Sequence, residues 1–122
     1  MKTILIVDDE SVVREVLKLT VEIGEFRVLQ AQNAREAIQL ARVEKPDIII
    51  MDVIMPGGMD GLEATRIIKQ DPETRECQVL ILTGQVPDKL MEKSLEVGAT
   101  DCFRKPFSPI ELLRKIDELI SD

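Results

Sequence analysis

The chain has 122 residues, 44% hydrophobic and 32% charged, with a formal net charge of -7 at pH 7. That length and balance describe one globular domain with a single core, not a disordered chain. An acidic surface repels phosphate backbones, which argues against direct nucleic-acid binding, and no apolar stretch approaches the roughly 20 residues needed to cross a bilayer.

The first strand-like run, residues 3–7, is apolar from Ile4 to Val7 and stops at Asp8-Asp9-Glu10. A segment of helical period follows, with Val13, Val16, Leu17, Thr20 and Val21 on one face and Gly24 as its expected C-terminal cap. A second run covers 26–30. Asn33 and Glu36 are spaced as a capping box for a second helix that turns Ala37, Ile38 and Ala41 inward. The third run, 47–51, contains Ile48-Ile49-Ile50-Met51 and stops at Asp52, which opens the turn Val53-Ile54-Met55-Pro56-Gly57-Gly58. Asp60 can cap a third helix carrying Leu62, Ile67 and Ile68, and Asp71 to Glu76 reads as loop. A fourth run, 79–83, ends at Thr83. The next helix is expected to begin near Val86-Pro87, pack Leu90, Met91 and Leu95, and stop before Gly98. The fifth run, 101–103, leads into Lys105-Pro106. Ser108-Pro109-Ile110-Glu111 is a strong start signal for a last helix burying Leu112, Leu113, Ile116 and Leu119.

The order is five strand–helix units. Runs one, three and four are nearly all apolar, as strands covered on both faces must be. Right-handed crossovers then give an α/β, doubly wound parallel sheet. In such a sheet the C-terminal strand ends converge on one crevice. Here they bring Asp8, Asp9 and Asp52, the Thr83 hydroxyl and the Lys105 ammonium.

Three carboxylates against one ammonium leave the crevice short of positive charge. Two carboxylates about 4 Å apart repel by roughly 4 kcal/mol at an effective dielectric near 20. A divalent cation would cancel that. All-oxygen donors favour Mg2+, with Mn2+ as an alternative. Beside a cation, Asp52 is the best candidate nucleophile, since aspartate carboxylates form aspartyl phosphates. Lys105 and Thr83 can hold phosphoryl oxygens, and Gly84 leaves room beside them. The chain lacks histidine, tyrosine and tryptophan, so no histidine base, histidine zinc ligand or phosphohistidine exists in it. Cys77 and Cys102 show no metal-ligand spacing and are expected as free thiols in a reducing cytoplasm. Each polar residue alone has an ordinary explanation: acids favoured at a helix start, a turn aspartate, a solvated lysine. Their placement at the ends of different strands of one sheet is what singles them out.

These residues closely resemble the receiver domain of two-component response regulators of the chemotaxis-regulator type. The resemblance rests on Ile6-Val7-Asp8-Asp9-Glu10, Met51-Asp52 through Met55-Pro56, Met59-Asp60-Gly61, Leu82-Thr83-Gly84, Gly98-Ala99 and Lys105-Pro106-Phe107, and it covers essentially the whole chain. It implies a flavodoxin-like (βα)5 fold, strand order 2-1-3-4-5, with residues 1–122 as a single receiver domain. It also implies a phosphorylation-dependent switch, not an enzyme acting on a separate substrate. Asp52 would accept a phosphoryl group from a histidine kinase or histidine phosphotransfer protein. Asp9, Asp52 and the Ile54 backbone carbonyl would ligate Mg2+, with Asp8 acting through a water. Thr83 and Lys105 would grip the phosphoryl group, and the Lys105-Pro106 bond would be cis. Output would pass through the face of helix 4, strand 5 and helix 5, where Lys89, Glu92, Lys93, Glu96, Glu111, Arg114, Lys115 and Glu118 are expected, to an unidentified downstream protein. The switch would be a monomer or a phosphorylation-dependent dimer.

Three departures stand out. Gly57-Gly58 places two residues where the family usually has one. Cys102 occupies the position of the family's switch aromatic, paired with Thr83, and strand alternation puts Phe103 on the other face. Ile54 and Gln85 would flank the attacking water, and Ile54 cannot hydrogen-bond it, so slow self-hydrolysis is expected. Val12, opposite the first helix's core stripe, could form a kinase-docking patch with Pro106. Two other functions compete. A phosphatase of the haloacid-dehalogenase type would need a second aspartate two residues after Asp52, where Ile54 stands. A phosphorylation-independent pseudo-receiver would not need the full acidic set.

Overall fold

The computed structural model describes residues 1–84 and 89–120. Five strands, β1 (Lys2–Val7), β2 (Phe26–Ala31), β3 (Ile48–Met51), β4 (Gln78–Thr83) and β5 (Asp101–Arg104), alternate with five helices. The helices are α1 (Ser11–Val21), α2 (Ala34–Glu44), α3 (Gly61–Gln70), α4 (Leu90–Glu96) and α5 (Pro109–Ile120). The strands form one sheet in the order β2-β1-β3-β4-β5, and every pairing is parallel. This is the expected doubly wound, flavodoxin-like α/β fold. No helix among the described residues is long and apolar enough to cross a membrane.

Strand alternation splits the core into two layers. Leu5, Val7, Ile49, Met51, Val79 and Ile81 face α2 and α3. Ile4, Ile6, Ile48, Ile50, Leu80 and Leu82 face α1 and α5 through Leu17, Val21, Leu112 and Ile116. β1, β3 and β4 are central and wholly buried over their apolar runs, which is why those runs show no polar alternation. Asn33 caps α2 by accepting from the Glu36 amide at 2.9 Å, and Asp60 caps α3 by accepting from the Glu63 amide at 2.8 Å. Ser108 accepts from the Glu111 amide at 3.3 Å ahead of Pro109.

Several local expectations are corrected. α1 ends at Glu22, a right-handed cap, so Gly24 is no left-handed cap. Gly24 instead makes room for the Phe26 ring, whose Cε2 would lie 2.3 Å from an added Cβ. Val16 lies outside the buried stripe of α1 and is 47% exposed. α4 buries only Leu90 and Ser94, while Met91 and Leu95 are exposed. This helix sits over the sheet's edge, where β5 is only four residues long, and one narrow stripe suffices to cover it. Its expected start at Val86-Pro87 lies outside the described residues. Along α5, Leu113 and Leu119 are only half-buried.

Candidate functional site

The strand ends do converge. β1 ends one residue before Asp8, β3 one before Asp52, and β4 on Thr83. The sheet ladder continues into both aspartates, whose amides donate to Ala31 O at 3.2 Å and Val7 O at 3.0 Å respectively. Lys105 follows β5 and donates its amide to Thr83 O at 2.7 Å. The Lys105-Pro106 peptide is cis, as expected. The Lys105 ammonium lies 2.6 Å from Asp8 Oδ2 and 3.6 Å from Asp52 Oδ2. Asp8, Asp52 and Thr83 are all buried, whereas Asp9 is exposed. Asp9, Glu10, Asp52, Ile54, Thr83, Gly84 and Lys105 line an open cleft of about 270 Å³. An added Cβ on Gly84 would meet nothing within 4 Å, so the space beside Thr83 is open.

Burial, reinforced by repulsion from Asp8, pushes the Asp52 carboxyl up to about 6, although Lys105 pulls the other way. Burial also works against the Lys105 charge, but its hydrogen bond to Asp8 and its attraction to Asp52 prevail and hold it above the ordinary lysine value. Carboxylate oxygens of Asp8, Asp9 and Glu10 all lie within 4.8 Å of one another. Asp8 also accepts from the Glu10 amide at 3.0 Å, which stiffens this turn. An oxygen-only donor set and a buried carboxylate that resists ionisation without further positive charge both fit a hard divalent cation.

Two supporting contacts were not expected from the sequence. Arg14 Nη1 donates to the Asp8 carbonyl at 2.8 Å, while its Nε donates to Gln30 Oε1 at 3.0 Å, bracing the acidic turn against β2. Nothing local pairs position 14 with position 30. Gly61 packs directly on the Asp52 carbonyl. Cys102 and Phe103 point to opposite layers, as strand alternation requires. Burial pushes the Cys102 thiol up. Gly57 and Gly58 both take positive φ, 98° and 80°, so the lengthened loop after Asp52 uses glycine's freedom at both positions. Gln85 lies outside the described residues.

Residues 4–117 match the family model of the response regulator receiver domain. The chain is 39% identical over 125 residues to protein PilH of Pseudomonas aeruginosa, covering 99% of both chains. It is 37% identical over 119 residues to the phosphate regulon transcriptional regulatory protein PhoB of the same organism, covering 98% of this chain and 52% of that protein. The chain therefore spans about half the length of several curated relatives that it matches. Among solved structures, the signal receiver domain of a DNA-binding response regulator from Colwellia psychrerythraea superposes with a TM-score of 0.92, at 29% identity and full coverage of both chains. This chain belongs to the response regulator receiver domain family, the phosphorylation-controlled switch module of two-component signalling. Receivers of this family typically bind Mg2+ at an acidic pocket and depend on a phosphodonor partner such as a histidine kinase.

Proposed function

We propose that this receiver takes a phosphoryl group on Asp52 from a phosphohistidine of a histidine kinase or histidine phosphotransfer protein, and then changes its protein contacts. The observation that carries this reading is the placement of one ammonium, Lys105, between the buried carboxylates of Asp8 and Asp52 at the mouth of the sheet. An Asp52 carboxylate oxygen would attack phosphorus as the bond to the donor imidazole nitrogen breaks, and the imidazole keeps that electron pair. Asp9, Asp52 and the Ile54 carbonyl would hold Mg2+, with Asp8 acting through a water. The cation supplies charge that shields the incoming anionic phosphoryl group. Lys105 and Thr83 would then hold its oxygens, with Lys105 leaving Asp8 to do so.

Phosphodonor docking fits the apolar groove formed by Val12, Val13, Val16, Pro106, Phe107 and Pro109 beside the crevice. Val12 there is 73% exposed. The response would leave through α4, β5 and α5, with Thr83 and the half-buried Cys102 at the switch position.

The test is intact mass after incubation with Mg2+ and acetyl phosphate, beside Asp52→Asn. One phosphoryl group gained by wild type alone supports the reading. Gain by neither protein favours a pseudo-receiver, and gain by both rules out Asp52. Multiple turnover of a phosphate ester would point to a phosphatase, although position 54 offers no acid or base. Ile54 is 62% exposed at the rim of the cleft. It would leave an attacking water without a partner, so Ile54→Asn is expected to speed loss of the phosphoryl group, and an unchanged rate would sink that idea.

A further inference from the structure

We propose that Gly61 is a positioning residue for Asp52, a role that rests on the reading of Asp52 as the phosphoryl acceptor. An ideal Cβ at Gly61 would lie 1.9 Å from the Asp52 carbonyl oxygen, 2.8 Å from its carbonyl carbon and 2.9 Å from Met51 Cγ. Real Cβ contacts stay above 3.0 Å. The obstacle is backbone, so no side-chain rotation relieves it. Gly61 is not among the residues with positive φ, so no left-handed conformation demands glycine there. Close approach to Asp52 does.

That approach is actively held. The Gly61 amide donates to Val53 O at 2.8 Å, closing the loop that leaves Asp52. The Gly61 carbonyl accepts from the buried Thr65 hydroxyl at 2.7 Å, and Asp60 caps the same turn. On its other side the Asp52 peptide is held by its amide bond to Val7 O at 3.0 Å. The Asp52 backbone is thus clamped between β1 and the first turn of α3, and its carboxylate direction follows from that clamp. A methyl group at position 61 has to push the two apart by about an ångström, a displacement that can cost a reaction about a hundredfold.

The experiment compares wild type, Gly61→Ala, Gly24→Ala and Asp52→Asn. Three quantities are read: phosphorylation rate from acetyl phosphate, Mg2+ affinity without phosphodonor, and melting temperature. Gly24→Ala is the structural control, because its clash is with the Phe26 ring at the far end of α1. Expected is a Gly61→Ala protein that folds, binds Mg2+ more weakly and phosphorylates about a hundredfold more slowly, while Gly24→Ala loses stability but keeps its rate within about twofold. A folded Gly61→Ala with wild-type rate and Mg2+ affinity overturns the proposal, even when wild type gains its phosphoryl group normally. Wild type failing to phosphorylate while Asp52→Asn behaves identically removes the acceptor reading itself, and this inference with it. Should Gly61→Ala not fold, Thr65→Val loosens the same clamp without adding bulk. A several-fold slower transfer in that variant supports the proposal, and an unchanged rate overturns it.

Discussion

The two ends of this sheet treat charge in opposite ways. At the N-terminal end of the strands several exposed charges have a neighbour of opposite sign. Lys2 lies 3.8 Å from Asp47, Lys45 2.7 Å from Glu73, and Arg42 3.1 Å from Asp71. Asp47 also accepts from the Thr3 amide at 2.8 Å, and its own amide donates to Thr3 O, tying β3 to β1. Asp71 is held below the usual carboxylate range by the Glu73 amide and by Arg42. At the C-terminal end, two buried carboxylates share one ammonium, and those of Asp9 and Glu10 stand beside Asp8. Carboxylates at the first end act as struts. At the second they are held in place although they repel, and the fold gives up stability there.

The two ends differ most at Asp52. Its folded-state carboxyl is raised to about 6 by burial and by Asp8, so the folded protein binds that proton more tightly than the unfolded chain does. The contribution of Asp52 to stability therefore falls as pH rises through the window from the ordinary carboxylate value to about 6, and it is lowest above that. Without divalent cation, Asp52→Asn is expected to be more stable than wild type near pH 7, by on the order of 2 kcal/mol, with the gap closing toward pH 4. Urea unfolding in a chelating buffer at both pH values measures this. Equal stabilities at neutral pH would mean that the crevice carries no strain. Added Mg2+ should stabilise wild type more than the variant.

The opposite end gives the opposite sign. Asp47→Ala removes the acceptor of the Thr3 amide, and Thr3 is only 8% exposed. A buried amide left without a partner costs about 1–3 kcal/mol. The variant should unfold at lower urea at every pH above the carboxylate range, with no dependence on Mg2+. The exposed ion pairs nearby should contribute little, since surface pairs are screened.

How legible these features were follows from how local their causes are. Each strand's apolar run, and the polar residue that ends it, stand side by side in the chain, so the doubly wound sheet and the convergence of Asp8, Asp52, Thr83 and Lys105 could be read from residue order, while the strand order came from the family resemblance. The cap residues Asn33, Asp60 and Ser108 act on amides three residues away and were equally readable. What could not be read depends on neighbours distant in sequence. Gly24 resembles a helix cap but serves the Phe26 ring. Gly61 stands in a motif of the family resemblance, but its contact with the Asp52 carbonyl, nine residues away, could not be read from that motif. The Arg14 brace depends on Gln30, a residue of β2. Helical period marks a stripe but not its width, which is why Val16, Met91 and Leu95 were expected inside and are found outside.

α4 supplies the smallest and most discriminating effect. Its Ser94 hydroxyl is fully buried on the side facing the sheet edge. The Cys102 thiol is close enough to feel it, but among the described residues no hydrogen bond of sound geometry satisfies the Ser94 oxygen. Thr74 is the counter-case: it is as deeply buried, and its hydroxyl donates to Ile68 O at 2.6 Å. Removing a satisfied hydroxyl costs about 1 kcal/mol, whereas removing an unsatisfied one is neutral or stabilising. Thr74→Val should therefore lower the unfolding midpoint, and Ser94→Ala should leave it unchanged or raise it slightly. Hydrogen exchange sharpens the test. If the orphan hydroxyl weakens the seating of α4, Ser94→Ala should slow amide exchange in Leu90–Glu96 while α3 stays as it was. A drop in stability for Ser94→Ala equal to that for Thr74→Val would mean that Ser94 holds α4 down through a bond to Cys102, and that α4 is as firmly seated as the elements that carry the acidic crevice.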